Sequence, residues 1–131
     1  MISTTEIKLK KSTHFLLEPG LVRMNGKEGE YIELEDAIEM REANLKLSQG
    51  KPFCLLMSDL SGYYTFSPDA RRLLASKEYC ELRKAVAFVV NSLATKLISQ
   101  AFIRMNKPKS PTKIFSDEGD ALEWLREMNA N

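Results

Sequence analysis

Two stretches of this chain are apolar at every position: Phe53 to Met57, FCLLM, and Ala85 to Val90, AVAFVV. A strand with one face in water alternates apolar and polar residues. An unbroken apolar run of strand length therefore belongs to a strand covered on both faces. Between the two runs lies a segment with helical signals. Buried strands joined through helices imply a largely parallel sheet between helical layers. At 131 residues the chain fits one domain and can bury its own core.

The remaining elements fall around this pair. Residues 1 to about 11 are expected to be flexible or an edge strand. His14 to Glu18 reads as a strand, Pro19-Gly20 as a turn, and Leu21 to Met24 as the returning strand. Leu34 to about Ser48 is helical, with Leu34, Ala37, Ile38 and Leu45 near one face; Gly50 and Pro52 stop it. A short helix runs from about Pro68 to Lys77. A third spans about Ser92 to Met105, and its stripe of Leu93, Leu97, Ile98, Ala101, Phe102 and Met105 is expected to be buried. Pro108 and Pro111 force an extended segment before a last strand at Thr112 to Phe115. Ser116 or Asp117 then caps a final helix with the stripe Ala121, Trp124, Leu125 and Met128. The expected fold is one α/β domain over residues 1–131, in the order β-β-α-β-α-β-α-β-α. Its sheet is mixed but mostly parallel, with about five strands and four helices, and the first strand is antiparallel at or near an edge.

Composition excludes several classes. A net charge of +1, with a densest basic cluster of Lys8, Lys10 and Lys11 in the N-terminal tail, gives no stripe for nucleic acid. No apolar run reaches the roughly 18 residues of a membrane span, and the N-terminus lacks the apolar core of a signal peptide. Cys54 and Cys80 have no ligand-spaced partner, which speaks against a metal site, and unpaired thiols suit a reducing cytoplasm. No cofactor is expected.

In parallel sheets ligands favour the loops after the strands. Those loops hold Asp59, Ser61, Ser92 and Ser116 to Glu118, but no histidine. The single histidine, His14, reads as an edge or surface residue at the opposite end of the sheet, so a Ser-His-Asp device is not expected. A phosphorelay receiver has similar length and alternation, and Asp59 could stand for its phosphoacceptor. The acidic pair after the first strand and the lysine after the last are absent. Ser67-Pro68-Asp69 matches a helix start, with serine at N-cap, proline at N1 and aspartate at N2. Ser67 and Ser61 are also candidate phosphorylation sites. Tyr63, Tyr64 and Phe66 form an aromatic cluster that either lids the core or offers a contact surface.

With these elements in place the chain resembles the STAS-like superfamily, and within it proteins similar to stage II sporulation protein AA, an anti-sigma-factor antagonist. The resemblance covers roughly residues 14 to 128. It rests on the opening hairpin, LEDA at Leu34 to Ala37, LLMSDLSG after the third strand, AVAFVVNS, and KIFSDEGDALEWL near the end. It implies a non-catalytic cytoplasmic module that binds another protein in a regulatory role, and it allows a homodimer. In antagonists a serine at the start of the second helix is phosphorylated by the partner kinase. The matching stretch here is Phe66 to Ala70, which keeps Ser67 but follows it with proline and aspartate. Asp69 would then supply a permanent negative charge. The expected partner surface comprises Asp59, Ser61, Tyr63, Tyr64, Ser67, Asp69 and Ser92. The group is also compared with lipid-exchange domains. A small apolar ligand carrier, with a closed cavity near Tyr63, Tyr64 and Phe102, is therefore one alternative. An enzyme using Asp59 or Ser61 is the other.

Overall fold

The computed structural model of the chain describes residues 5–58 and 65–130. The elements run β1 (Glu6–Lys8), β2 (Ser12–Glu18), β3 (Leu21–Gly26), β4 (Tyr31–Ile32), α1 (Leu34–Leu47), β5 (Phe53–Ser58) and β6 (Thr65–Phe66). Then follow α2 (Pro68–Ala75), α3 (Lys77–Cys80), β7 (Arg83–Val89), α4 (Leu93–Asn106), β8 (Thr112–Phe115) and α5 (Glu118–Asn129). Among the described residues one sheet has the order β1-β2-β3-β5-β7-β8, and β4 and β6 form a separate parallel pair. β1, β2 and β3 are antiparallel; β3, β5, β7 and β8 are parallel.

The two apolar runs are adjacent, with Leu55 opposite Val86. Every residue of β5 is buried. Phe53, Leu55 and Met57 face the layer holding α1 and α2, packing with Val22, Met40 and Ala70. Cys54 and Leu56 face α5, packing with Leu21, Ala121 and Leu125. The period-2 alternation of a strand is thus kept, but both faces meet helices, which is why the sequence shows no polar position there.

The hairpin turn is held by Gly20, whose φ is +80°. A Cβ at that position would also come 2.6 Å from Oδ1 of Asn129, whose amide donates to the Pro19 carbonyl at 3.0 Å. Glycine is required twice there, by backbone and by close approach.

Several expectations are corrected. The sheet has six strands because Glu6–Lys8 pairs with β2 at the edge. The helix expected over Pro68 to Lys77 breaks at Ser76, which ends α2 with its N–H on the Leu73 carbonyl and caps α3 through its hydroxyl, so five helices are present among the described residues. On α1 Ile38 is exposed; the buried face is Ala37, Met40, Ala43, Asn44 and Leu47. Its polar member, Asn44, hides the stripe in the sequence. His14 is neither at the surface nor at an edge, nor at the opposite end of the sheet from the strand-end loops: the antiparallel hairpin sets it level with Met24, which pairs with Met57 near the end of β5. The histidine is fully buried between β2 and α1, next to Ser12 and Asn44.

The largest correction concerns α4. None of its residues is buried, and Leu93 (72%), Leu97 (55%), Ile98 (43%) and Met105 (76%) are exposed. The helix lies beside α2 and β8 and touches the body through Phe102, whose ring meets Phe88 edge-to-face at 5.9 Å. The apolar stripe is wide enough to face two ways, and only one side has a partner among the described residues.

An apolar helix face and cavity at the strand ends

The carboxyl ends of β5 and β7 open toward α2 and α4. Ser58 is buried at the end of β5. Asp59, Ser61, Tyr63 and Tyr64 lie outside the described residues. The rest of the expected surface is placed as follows.

Ser67 is the N-cap of α2, accepting the Ala70 N–H at 3.1 Å. Asp69 is exposed and pairs with Arg72 one turn on. Ser92 is the exposed N-cap of α4. Its hydroxyl oxygen accepts the Thr95 N–H at 3.1 Å, and the Ser92 and Thr95 hydroxyls lie 2.8 Å apart. Both serines are therefore engaged as caps, which for Ser67 is the role its sequence context predicts.

The starts of these two helices flank one cavity of about 410 Å³. Met57 and Val89 from the strand ends, Phe66, Leu74, Phe88 and Phe102 contribute apolar surface to its wall. Phe102 was expected near such a cavity; Phe66 was expected in the neighbouring aromatic cluster. Arg71 is the one charged side chain among the described lining residues. Its Nη1 donates to the Phe66 carbonyl at 2.9 Å. Among the described residues no carboxylate lies within ion-pair distance of it. Sequence patterning could not single out Arg71, because one arginine on a short amphipathic helix reads as solvent-facing.

The outer side of α4 carries a second feature. From Arg83 to Ser116 the sequence has seven basic residues and no acidic one. Three of them, Lys96, Arg104 and Lys107, sit exposed on or at the end of α4. Overall neutrality concealed this local excess.

Two buried polar clusters lie elsewhere. Asn44 Oδ1 can only accept, so Nδ1–H of His14 donates to it at 2.7 Å, and the Ser12 hydroxyl donates to Nε2 at 2.8 Å. Burial, opposed by the Asn44 hydrogen bond, pushes the imidazole down to about 4. At the amino end of β7, buried Arg83 donates to the Leu74 carbonyl at 2.7 Å and the Ser110 hydroxyl at 3.2 Å. Its Nη2 lies 2.9 Å from Cys80 Sγ. The guanidinium also sits 5.1 Å from the centre of the Tyr79 ring. Burial raises the Cys80 thiol, but Arg83 and hydrogen bonds from Ser110 and Lys109 outweigh it, so its pKa is lowered. Cys54 and Cys80 are both free and buried.

No helix among the described residues is long and apolar enough to cross a membrane. The model of a family described as a domain of unknown function, DUF7793, matches residues 15–129. No curated protein matches the sequence. Among solved structures, the chain is similar to an uncharacterised DUF3478-family protein from Shewanella loihica, described as having a SpoIIAA-like fold. The match has a TM-score of 0.59 at 16% identity and covers 92% of this chain and 89% of the other. At that identity the likeness establishes the fold: this chain has the SpoIIAA-like architecture that its element order and motifs imply.

Proposed function

The chain belongs to the DUF7793 family, and we propose that it is a non-catalytic, cytoplasmic interaction module whose docking face is the outer side of α4. The observation that carries this reading is the exposure of Leu93, Leu97, Ile98 and Met105 on one helix. Large apolar side chains grouped on one element mark interaction sites, whereas scattered ones do not. The basic residues Lys96, Arg104 and Lys107 are exposed on or at the end of the same helix, in a stretch of sequence from Arg83 to Ser116 that holds no acidic residue. Charge complementarity therefore selects a protein segment that carries acidic residues around an apolar core. Of the expected partner residues, Ser92 stands at one end of this helix as its N-cap, and Ser67 and Asp69 open α2. The reading as a regulator, by likeness to an anti-sigma-factor antagonist, rests on the fold.

A non-catalytic role is supported by the burial of the single histidine of the sequence between β2 and α1, where Ser12 and Asn44 engage both ring nitrogens. Reduced, buried cysteines fit a reducing compartment.

The test is affinity capture with the full chain and a Leu93→Gln/Leu97→Gln/Met105→Gln variant. The variant should keep its circular dichroism and thermal midpoint while losing its captured protein. A Lys96→Glu/Arg104→Glu variant should weaken capture and flatten its salt dependence. Undiminished capture by the triple variant refutes the face. Sedimentation velocity identifies a second copy as the occupant if a dimer dissociates in the triple variant, and flotation with anionic vesicles identifies a membrane; either result replaces the acidic protein partner.

A further inference from the structure

The cavity under α4 shares Ile98 and Met105 with the exposed stripe but not Leu93 or Leu97, and its chemistry is more specific. We infer that it is a binding site for an amphipathic monocarboxylate: an apolar body of about ten carbons inside, with its single anionic head held by Arg71.

Size sets the first limit. The cavity of about 410 Å³ is within the range of small-molecule sites. At about 30 Å³ for each water-sized unit in a liquid, it takes a molecule of roughly a dozen heavy atoms. The α4 residues along it run from Thr95 to Asn106, a length of roughly 16 Å at 1.5 Å per residue. An elongated guest fits this shape better than a compact polar one.

The lining sets the second limit. Phe66, Phe88 and Phe102 supply aromatic surface, and Leu74, Ile98 and Met105 supply aliphatic surface. Ser58, Thr65, Thr95, Ser99 and Asn106 are neutral polar groups. No described lining residue is acidic, and one, Arg71, is cationic. A cationic guest would meet that charge unfavourably. A phosphate-rich guest would find a single guanidinium among apolar walls, too few donors for a multiply charged group. A neutral guest would leave the guanidinium without a counter-charge among the described residues.

Arg71 sets the third. One N–H is committed to the Phe66 carbonyl, which fixes the planar fork against β6. A guanidinium has five donors, so others remain for a bidentate carboxylate. Among the described residues none supplies that carboxylate. The arginine is thus pre-positioned beside an apolar space, which is the arrangement a fatty or aromatic acid recognises.

The test uses decanoate, decanol and decylamine, each below its aggregation concentration, by calorimetry and by amide chemical-shift mapping on the full chain. Decanoate should bind at least about tenfold more tightly than decanol, and decylamine most weakly, because a charged hydrogen-bonded head separates them. Shifts should centre on Phe66, Arg71 and Phe102. Arg71→Met should abolish the preference for decanoate over decanol, and Arg71→Lys should restore part of it. Leu93→Gln/Leu97→Gln, which changes only the outer side of α4, should leave decanoate affinity unchanged; parallel loss would show that the acid coats the exposed stripe instead. Equal binding of decanoate and decanol by the unaltered chain, or no decanoate binding, overturns the inference whether or not the Arg71 variants fold.

Discussion

At the scale of single residues, His14 has the clearest measurable consequence. Its folded pKa is depressed from 6.5 to about 4, so between those values the unfolded chain binds a proton that the native one does not. Stability should be full above about pH 6.5 and fall as pH drops toward 4, by about 3 kcal/mol in total. Urea unfolding from pH 7 to 4.5 measures this, and His14→Gln, which keeps an amide for Asn44, should flatten the profile in that window. Asp36, held low by the Lys11 ammonium and the Glu33 N–H against desolvation, acts in the same direction but only below its unfolded value of 3.8. The two contributions therefore separate on the pH axis. Ser67 gives a smaller effect. Ser67→Ala removes the acceptor for the Ala70 N–H and should cost about 1 kcal/mol. A loss near zero by chemical denaturation would mean that the cap is dispensable and the serine is free for another use.

Among the elements, Tyr79 and Arg83 make opposite predictions from one cluster. The Tyr79 hydroxyl is buried, has no hydrogen-bond partner among the described residues, and is pushed up to about 12 by desolvation against the opposing effect of Arg83 and Arg41. Tyr79→Phe removes an unsatisfied group at constant packing, so thermal unfolding should show it neutral or about 1 kcal/mol more stable. Arg83→Met removes the guanidinium donor from the Ser110 hydroxyl and from the Leu74 carbonyl, which keeps only the weak Cys80 thiol at 3.5 Å, and should cost about 2 kcal/mol. If both substitutions destabilise equally, the tyrosine hydroxyl has a partner after all. This cluster was illegible in the sequence, because an arginine before an apolar run reads as a solvated strand end. The apolar runs themselves, the Pro19-Gly20 turn and the Ser67-Pro68 and Asp117 helix starts were legible, since each depends on local chemistry. The α4 stripe was misread for an instructive reason. Periodicity reports that a face is apolar, but not whether another part of the same chain covers it. His14 was misread because its burial depends on Asn44, thirty positions away.

For the molecule as a whole, the same asymmetry divides the fold into a sealed body and an attached helix. β5 and β7 sit in the middle of the sheet and meet apolar residues on both faces, from α1 and α2 on one side and α5 on the other. Opening them requires nearly global unfolding. α4 buries none of its residues and borders a cavity instead of a packed layer. Fewer buried contacts imply a lower free energy of local opening. Native-state hydrogen exchange should therefore place the amides of Leu55, Leu56, Val86 and Ala87 among the slowest. Those of Leu97 to Met105 should exchange earlier, by a sub-global route with weak denaturant dependence. Adding an occupant that fills the cavity or covers the outer stripe should slow the α4 amides selectively, by linkage, while leaving the β5 and β7 amides limited by the global transition. Exchange of α4 at the rate of the central strands in the free chain would mean that the helix is already part of the cooperative core. The exposed stripe would then be an ordinary surface feature, not a face waiting for a partner.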